Sequence, residues 1–194
     1  MEPLFSTSND KDLFYKYLNK SEYYFEFGSG GSTYQALIRD NIKKIYSVES
    51  DKLWIDKIKS NNLIINSSNL GKINFIYVDI KSKPNTWGYP GKESNYNDWI
   101  KYSRAFKNIG EENKNIDLIM IDGRFRVACA LNCFNYISDN TLIVFDDFLD
   151  REYYHIVLDY YEIFEKGNNL VVLQKKNVEQ PDENLIKKYE SINN

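Results

Sequence analysis

The sequence predicts a doubly wound α/β fold, a mostly parallel sheet between layers of helices. Three observations predict it. Strand-like and helix-like segments alternate along nearly the whole chain. The segments 118–121 and 142–145 are continuously apolar, as parallel strands buried on both faces are. Every strand expected to be parallel ends in a carboxylate, on the side of such a sheet where ligands sit.

The elements follow in order. Residues 11–19 read as a helix with Leu13, Tyr17 and Leu18 on one side. Residues 23–27 form a short aromatic strand that stops at Gly28. A helix over 32–40 takes Ser32 as its N-cap. Residues 44–49 are a strand, and 51–61 a helix with Trp54, Ile55 and Ile58 on one face. A strand over 73–79 precedes a Pro/Gly-rich loop over 81–95, and 98–108 is helical. A strand over 116–122 leads to a helix over 126–137, with Val127, Ala130, Leu131, Phe134 and Ile137 at helical spacing. Residues 141–146 are a strand, and the spacing of Val157, Tyr160, Tyr161 and Phe164 predicts a helix over 152–164. A last strand, 170–175, follows a turn at Gly167-Asn-Asn. The fold occupies 1–176, and 177–194 reads as a polar tail with one short helix.

Composition bounds the function. A chain of 194 residues is one domain's worth, long enough to bury roughly two-thirds of its unfolded surface. The 25 Lys and Arg against 28 Asp and Glu leave a net charge of −3, which argues against a general nucleic-acid binder. There is no apolar run of membrane-span length, so no membrane partner is expected. The opening residues lack the basic and apolar regions of a signal peptide, and the expected location is cytoplasmic. Two cysteines and one histidine cannot make a four-ligand zinc site; Cys129 and Cys133 read as core filler on an apolar helix. Asn, Ile, Lys and Tyr make up 80 of the residues, the signature of an AT-rich genome and not of a function. Oligomeric state is not legible.

The first strand ends in Glu26-Phe-Gly28-Ser29-Gly30-Gly31-Ser32-Thr33. Glycines after a strand let backbone approach a ligand. A dinucleotide fingerprint would need glycine where Thr33 stands. Glu49, 21 positions after Gly28, suits a ribose diol in either an NAD or an S-adenosylmethionine site. Glu26 separates the two: a carboxylate there repels a pyrophosphate but suits the cationic methionine end of S-adenosylmethionine. The chain also has no room for a second substrate domain beside a dinucleotide fold.

Residues 26–33 resemble motif I of the class I S-adenosylmethionine-dependent methyltransferases. Glu49 matches that family's ribose-binding acid, and Asp79 its acid near the adenine. The resemblance spans 23–175. It implies a seven-stranded Rossmann-like sheet with one antiparallel strand near the C-terminal edge, placed by a hairpin of 162–165 and 170–175. It implies cofactor contacts from Glu26, Gly28, Ser29, Gly30, Ser32, Thr33, Glu49 and Asp79.

Asp117 to Cys129, Phe145-Asp146-Asp147-Phe148, Trp87-Gly-Tyr-Pro90 and the Trp99/Tyr102 pair resemble a narrower group. It comprises small-molecule and sugar O-methyltransferases, including a chlorovirus domain that methylates a glycan rhamnose. A viral source fits that likeness. Asp122, Asp146 and Asp147 then have two readings. They hold Mg²⁺, which takes hard oxygen ligands and lowers the acceptor hydroxyl's pKa, or one of them is a general base without metal. Arg124 and Arg126 close by either neutralise the acids or hold the substrate. His155 is a further proton-transfer candidate, with an ordinary helix-surface histidine as the alternative. Trp87, Tyr89, Tyr102, Arg124, Arg126 and Arg151 are expected to line the acceptor pocket.

The expected activity is methyl transfer to a hydroxyl of a small molecule, foremost a sugar of a glycan. The alternatives are a methyltransferase acting on RNA or protein, and a methyltransferase-like binding module without chemistry. The Asn/Asp-Pro-Pro-Tyr motif of base methylation is absent after 116–122, which disfavours DNA bases.

Overall fold

A computed structural model describes residues 1–83 and 86–192. Seven strands form one sheet: β1 (Tyr23–Phe27), β2 (Lys44–Glu49), β3 (Ile73–Tyr77), β4 (Leu118–Ile121), β5 (Leu142–Phe145), β6 (Tyr161–Lys166) and β7 (Val171–Lys175). Their order across the sheet is β3-β2-β1-β4-β5-β7-β6. The four pairings among β1–β5 are parallel, and β7 runs antiparallel to both β5 and β6. The strand order reverses between β1 and β4, and that switch point opens the crevice in which open α/β sheets bind ligands.

Alternation along the strands builds a core on each face. Phe25, Phe27, Ile119, Ile121, Ile143 and Phe145 face one side, against α5 (Tyr96–Ser103) and α6 (Arg126–Cys133). Tyr24, Ile45, Leu118, Met120 and Val144 face the other, against α1 (Ser8–Leu18), α2 (Gly31–Leu37), α3 (Lys52–Lys59) and α4 (Asn62–Asn69). Both cysteines are buried and unpaired in α6.

Three elements differ from the sequence-based reading. The helix expected over 51–61 breaks at Ser60, and Asn61 caps a second helix, α4, by accepting from Leu63 N–H at 3.0 Å. The stretch expected as a helix over 152–164 is a 3-10 helix over 152–159 followed by β6. Tyr161 and Ile163 pair with β7, and the Tyr161 hydroxyl donates to Ala130 O at 2.8 Å. Helical spacing and an edge strand with a bulge share these apolar positions, and cross-strand pairing decides between them.

The third difference is the segment after 176, expected as a tail. Within it α7 (Glu183–Glu190) is docked on α5 and α6. Ile186 enters the core, and the fully buried Glu190 carboxylate accepts from Arg104 Nε at 2.7 Å, Ser103 Oγ at 3.0 Å and Asn132 Nδ2 at 3.0 Å. Residues 193–194 of that segment lie outside the described residues.

Candidate functional site

The chain leaves β1 at Gly28, whose φ of +96° suits glycine. Its N–H donates to Val48 O at 2.9 Å. The turn that follows is held from all sides. Ser29 N–H donates to Glu49 Oε2 at 3.1 Å, Ser29 O accepts from Trp54 Nε1 at 2.7 Å, and the Ser29 and Ser47 hydroxyls pair at 2.6 Å. Gly30 caps α2 and donates to Thr33 Oγ1 at 2.8 Å. Ser32, expected as the cap, instead donates to Glu26 Oε2 at 2.7 Å.

Glu26 is 0% exposed. Its Oε2 accepts from Tyr24 and Ser32, and its Oε1 from Thr33 and from Ser47 at 2.6 Å. Burial pushes its pKa up to about 7, against the pull of those hydroxyls. All four acceptor positions of the carboxylate are thus used. The expectation that Glu26 faces a cationic methionine end is corrected by this enclosure: the carboxyl braces the glycine turn from beneath, with Ser32 and Thr33 as struts.

Glu49, 7% exposed, ends β2. Its Oε1 accepts from Ser50 N–H at 2.6 Å and Asp51 N–H at 2.7 Å, and its Oε2 from Ser29. Burial raises its pKa, and the three backbone donors oppose this. Three of roughly four acceptor positions are filled, so one remains for a ligand hydroxyl. Asp79 follows β3 and pairs with Lys81. It sits on the rim of an open groove of ≈ 510 Å³, lined also by Asp51, Leu53, Tyr77, Lys83 and Lys92.

The loop after β3 returns across the strand ends. Lys83 N–H donates to Tyr89 O at 2.9 Å and Gly91 N–H to Lys81 O at 2.7 Å. Gly88, at φ +74°, lies so close to Ser50 that an added Cβ would be 2.7 Å from its Oγ. The Arg124 guanidinium stacks over the Tyr89 ring at 4.2 Å. Trp87 is 76% exposed. Tyr102, expected against substrate, is 1% exposed: its ring packs on Phe27 and Phe125, so it is core beneath the site.

Beyond β4 and β5 lies a cluster of carboxylates and arginines. Asp122 Oδ1 accepts from Arg126 Nη2 at 2.8 Å, and Asp147 Oδ2 from Arg151 Nη2 at 2.6 Å. Arg126 Nη1 also lies 3.4 Å from Asp147 Oδ2 and 4.0 Å from Asp146 Oδ2. Arg126 and Arg151, expected as substrate donors, are thereby committed to the acids. Arg151 further donates to the Tyr154 hydroxyl at 2.9 Å. Among the described residues, no three His, Cys, Asp or Glu side chains converge as metal ligands. The acids do not fit Mg²⁺, because a guanidinium already lies among them. That corrects the metal reading of Asp122, Asp146 and Asp147.

Among the described residues, Arg124 Nε is a buried donor with no acceptor, and Asp146 Oδ1 is buried with no donor other than the neighbouring Asp122 carboxyl, with which it can share a proton. Burial pushes the Asp146 pKa up to about 8, the facing Asp122 and Asp147 add to the rise, and Arg126 opposes it. His155 is half-buried, with Nε2 3.1 Å from Phe148 O and its ring against Phe148. Its one hydrogen bond goes to backbone and fixes the ring against Phe148.

Sequence reasoning missed Ser47, Tyr24 and Trp54 as supports of the turn. A signal existed: Ser47 pairs in register with Glu26, and two polar side chains side by side in buried strands imply a shared hydrogen bond.

No family model matches the chain, and no curated protein does. Solved structures do. A methyltransferase-like protein from Silicibacter pomeroyi superposes with a TM-score of 0.79 at 24% identity, covering 98% of this chain and 99% of that one. A Staphylococcus aureus protein assigned as a caffeoyl-CoA O-methyltransferase gives 0.53 at 16%, covering 90% and 86%. An RNA methyltransferase from Salinibacter ruber, in complex with S-adenosyl-L-homocysteine, gives 0.50 at 12%, covering 94% and 99%. The fold is the Rossmann-like fold of methyltransferases, shared by members that act on different acceptors.

Proposed function

We propose that the chain is an S-adenosylmethionine-dependent O-methyltransferase whose acceptor is a small polyhydroxylated compound, foremost a sugar of a glycan. The observation that carries this reading is Asp146: a buried carboxyl just past the C-terminal end of β5, set beside the Asp122 and Asp147 carboxyls. Neighbouring buried carboxyls raise one another's proton affinity, because both cannot ionise cheaply. A carboxylate of elevated basicity there suits the removal of a proton from a hydroxyl.

S-adenosylmethionine, when bound, supplies an electrophilic methyl on a sulfonium sulfur that leaves as a neutral thioether. The braced Gly28–Gly30 turn and the free acceptor position of Glu49 are the groups that would hold it, with Asp79 at the adenine side. The Asp146 carboxylate takes the acceptor's hydroxyl proton as that oxygen attacks the methyl. Asp122 and Asp147, each ion-paired to arginine, keep the local charge in place. Arg124, its guanidinium seated on Tyr89, is the donor for a neighbouring oxygen of the same acceptor. An aromatic face beside charged hydrogen-bonding groups suits a sugar, which has an apolar ring face and a hydroxyl rim.

The test is a mass-spectrometric screen of the purified chain with S-adenosylmethionine against nucleotide sugars, glycans and RNA. A one-methyl gain on a sugar hydroxyl is expected. Transfer to RNA, with none to any sugar, overturns the acceptor assignment.

A further inference from the structure

Three carboxylates at the ends of neighbouring strands would, by ligand chemistry, suit a hard divalent cation at about 2.0–2.6 Å from their oxygens. The space is taken. Arg126 is the first residue of α6, placed after Phe125, whose left-handed φ of +55° turns the chain there. Its side chain is 5% exposed. Each of its nitrogens is bound: Nε donates to Gly123 O at 3.1 Å, Nη1 to Asp146 O at 2.7 Å, and Nη2 to Asp122 Oδ1 at 2.8 Å and Asp122 O at 3.3 Å. One planar fork therefore ties the turn after β4 to the turn after β5.

We infer that Arg126 is the resident cation of this site. It holds the two turns and their acids in the arrangement that a divalent ion would otherwise impose, and so fixes the Asp146 carboxyl beside Asp122 at the acceptor side. The geometry gives two reasons. A guanidinium cannot share these oxygens with a divalent ion without strong repulsion at this separation. Nor can it swing aside cheaply, because withdrawal would take the donor from two buried backbone carbonyls, Gly123 O and Asp146 O, as well as from Asp122. The charge is permanent, since arginine keeps its proton across the pH range of proteins. A lysine would supply the charge but not the fork. Arg126 is thus a positioning residue, acting on the acceptor through Asp146 and Asp122.

This inference rests on the methyltransferase reading for its consequence but not for its first test. Calorimetric titration of the full chain with Mg²⁺, and separately with Mn²⁺, is expected to show no binding at millimolar metal. Binding that disappears in Asp146→Asn overturns the inference whether or not the chain transfers methyl groups. In turnover assays EDTA is expected to leave the rate unchanged; loss in EDTA with recovery in Mg²⁺ overturns it too. Arg126→Lys should lower kcat by up to about 100-fold through misplacement, with S-adenosylmethionine affinity retained. In Arg126→Ala, free guanidinium ion should restore part of the lost rate. Should the alanine variant fail to fold, the lysine variant carries the test, and wild-type kcat in it refutes the positioning role. Absence of transfer to any acceptor, with the metal titration still blank, refutes the methyltransferase reading alone.

Discussion

Gly28 and Gly123 lie backbone against backbone where the sheet changes direction. A Cβ on Gly28 would stand 2.9 Å from Gly123 N, and one on Gly123 would stand 3.0 Å from Gly28 N. The contact brings the turn after β1 against the turn after β4, so the expected cofactor side and acceptor side meet without an intervening side chain. Gly28→Ala adds a positive-φ penalty to that clash. A loss of about 2–4 kcal/mol is expected by urea denaturation, from strain and overpacking together. Wild-type stability in that variant would show that the two turns separate easily.

Glu49→Ala should weaken S-adenosylmethionine binding by about tenfold or more, the cost of a lost hydrogen bond to a charged group. Three backbone donors on Ser29, Ser50 and Asp51 also lose their acceptor, so the turn itself should loosen. Calorimetry decides; unchanged affinity would sink the ribose assignment.

Burial and the facing Asp122 and Asp147 carboxyls push the Asp146 pKa up to about 8, and burial raises Asp122 with it. As a base it works only when ionised. The rate constant kcat/KM should therefore climb with pH and level off above roughly 8. Asp146→Asn should remove the climb and lower the rate by about 10²–10⁴-fold. A pH profile that keeps its climb in the asparagine variant assigns the proton transfer elsewhere.

Glu26 makes a prediction about stability. Its pKa is raised on folding from 4.5 to about 7, so the folded state favours the protonated form. That contribution is fully present below pH 4.5 and is lost as pH rises through 7, a change of roughly 3 kcal/mol. Glu26→Gln should remove it. The difference between wild type and variant, followed by denaturation from pH 5 to pH 8, should shrink or reverse with rising pH. A difference that stays flat would mean that Glu26 is ionised throughout.

Arg124→Ala should reduce kcat/KM for a sugar acceptor by roughly 10- to 100-fold, as charged hydrogen bonds are worth. Cofactor affinity should hardly move, because Arg124 stacks on Tyr89 and makes no bond to the turn after β1. Equal losses in both constants would place the guanidinium in the cofactor site instead.

Much of this was legible in one dimension. Strands β1 and β2 cover 23–27 and 44–49, the bounds expected from the sequence. The apolar runs of β4 and β5 announced strands buried on both faces, and the sheet order places them at its centre. Period and composition are local properties, and a buried parallel sheet imposes them strand by strand. The acids after each strand were legible for the same reason, since strand ends are where the chain turns toward the crevice.

What the tertiary structure decided is which of those charged groups remain available. Glu26 and Asp146 are both buried carboxyls at strand ends, indistinguishable by type and position. Four hydroxyls from β1, β2 and α2 close around the first, whereas the second faces the Asp122 and Asp147 carboxyls and the Arg126 guanidinium. Arg124 and Arg126 stand two residues apart, yet α6 begins between them and turns one onto Tyr89 and the other into the acids. Glu190 looked like one more charge in a polar tail until Arg104, Ser103 and Asn132 enclosed it. A residue's chemistry is written in its side chain, but its free valence depends on partners distant in sequence, and only packing brings those together.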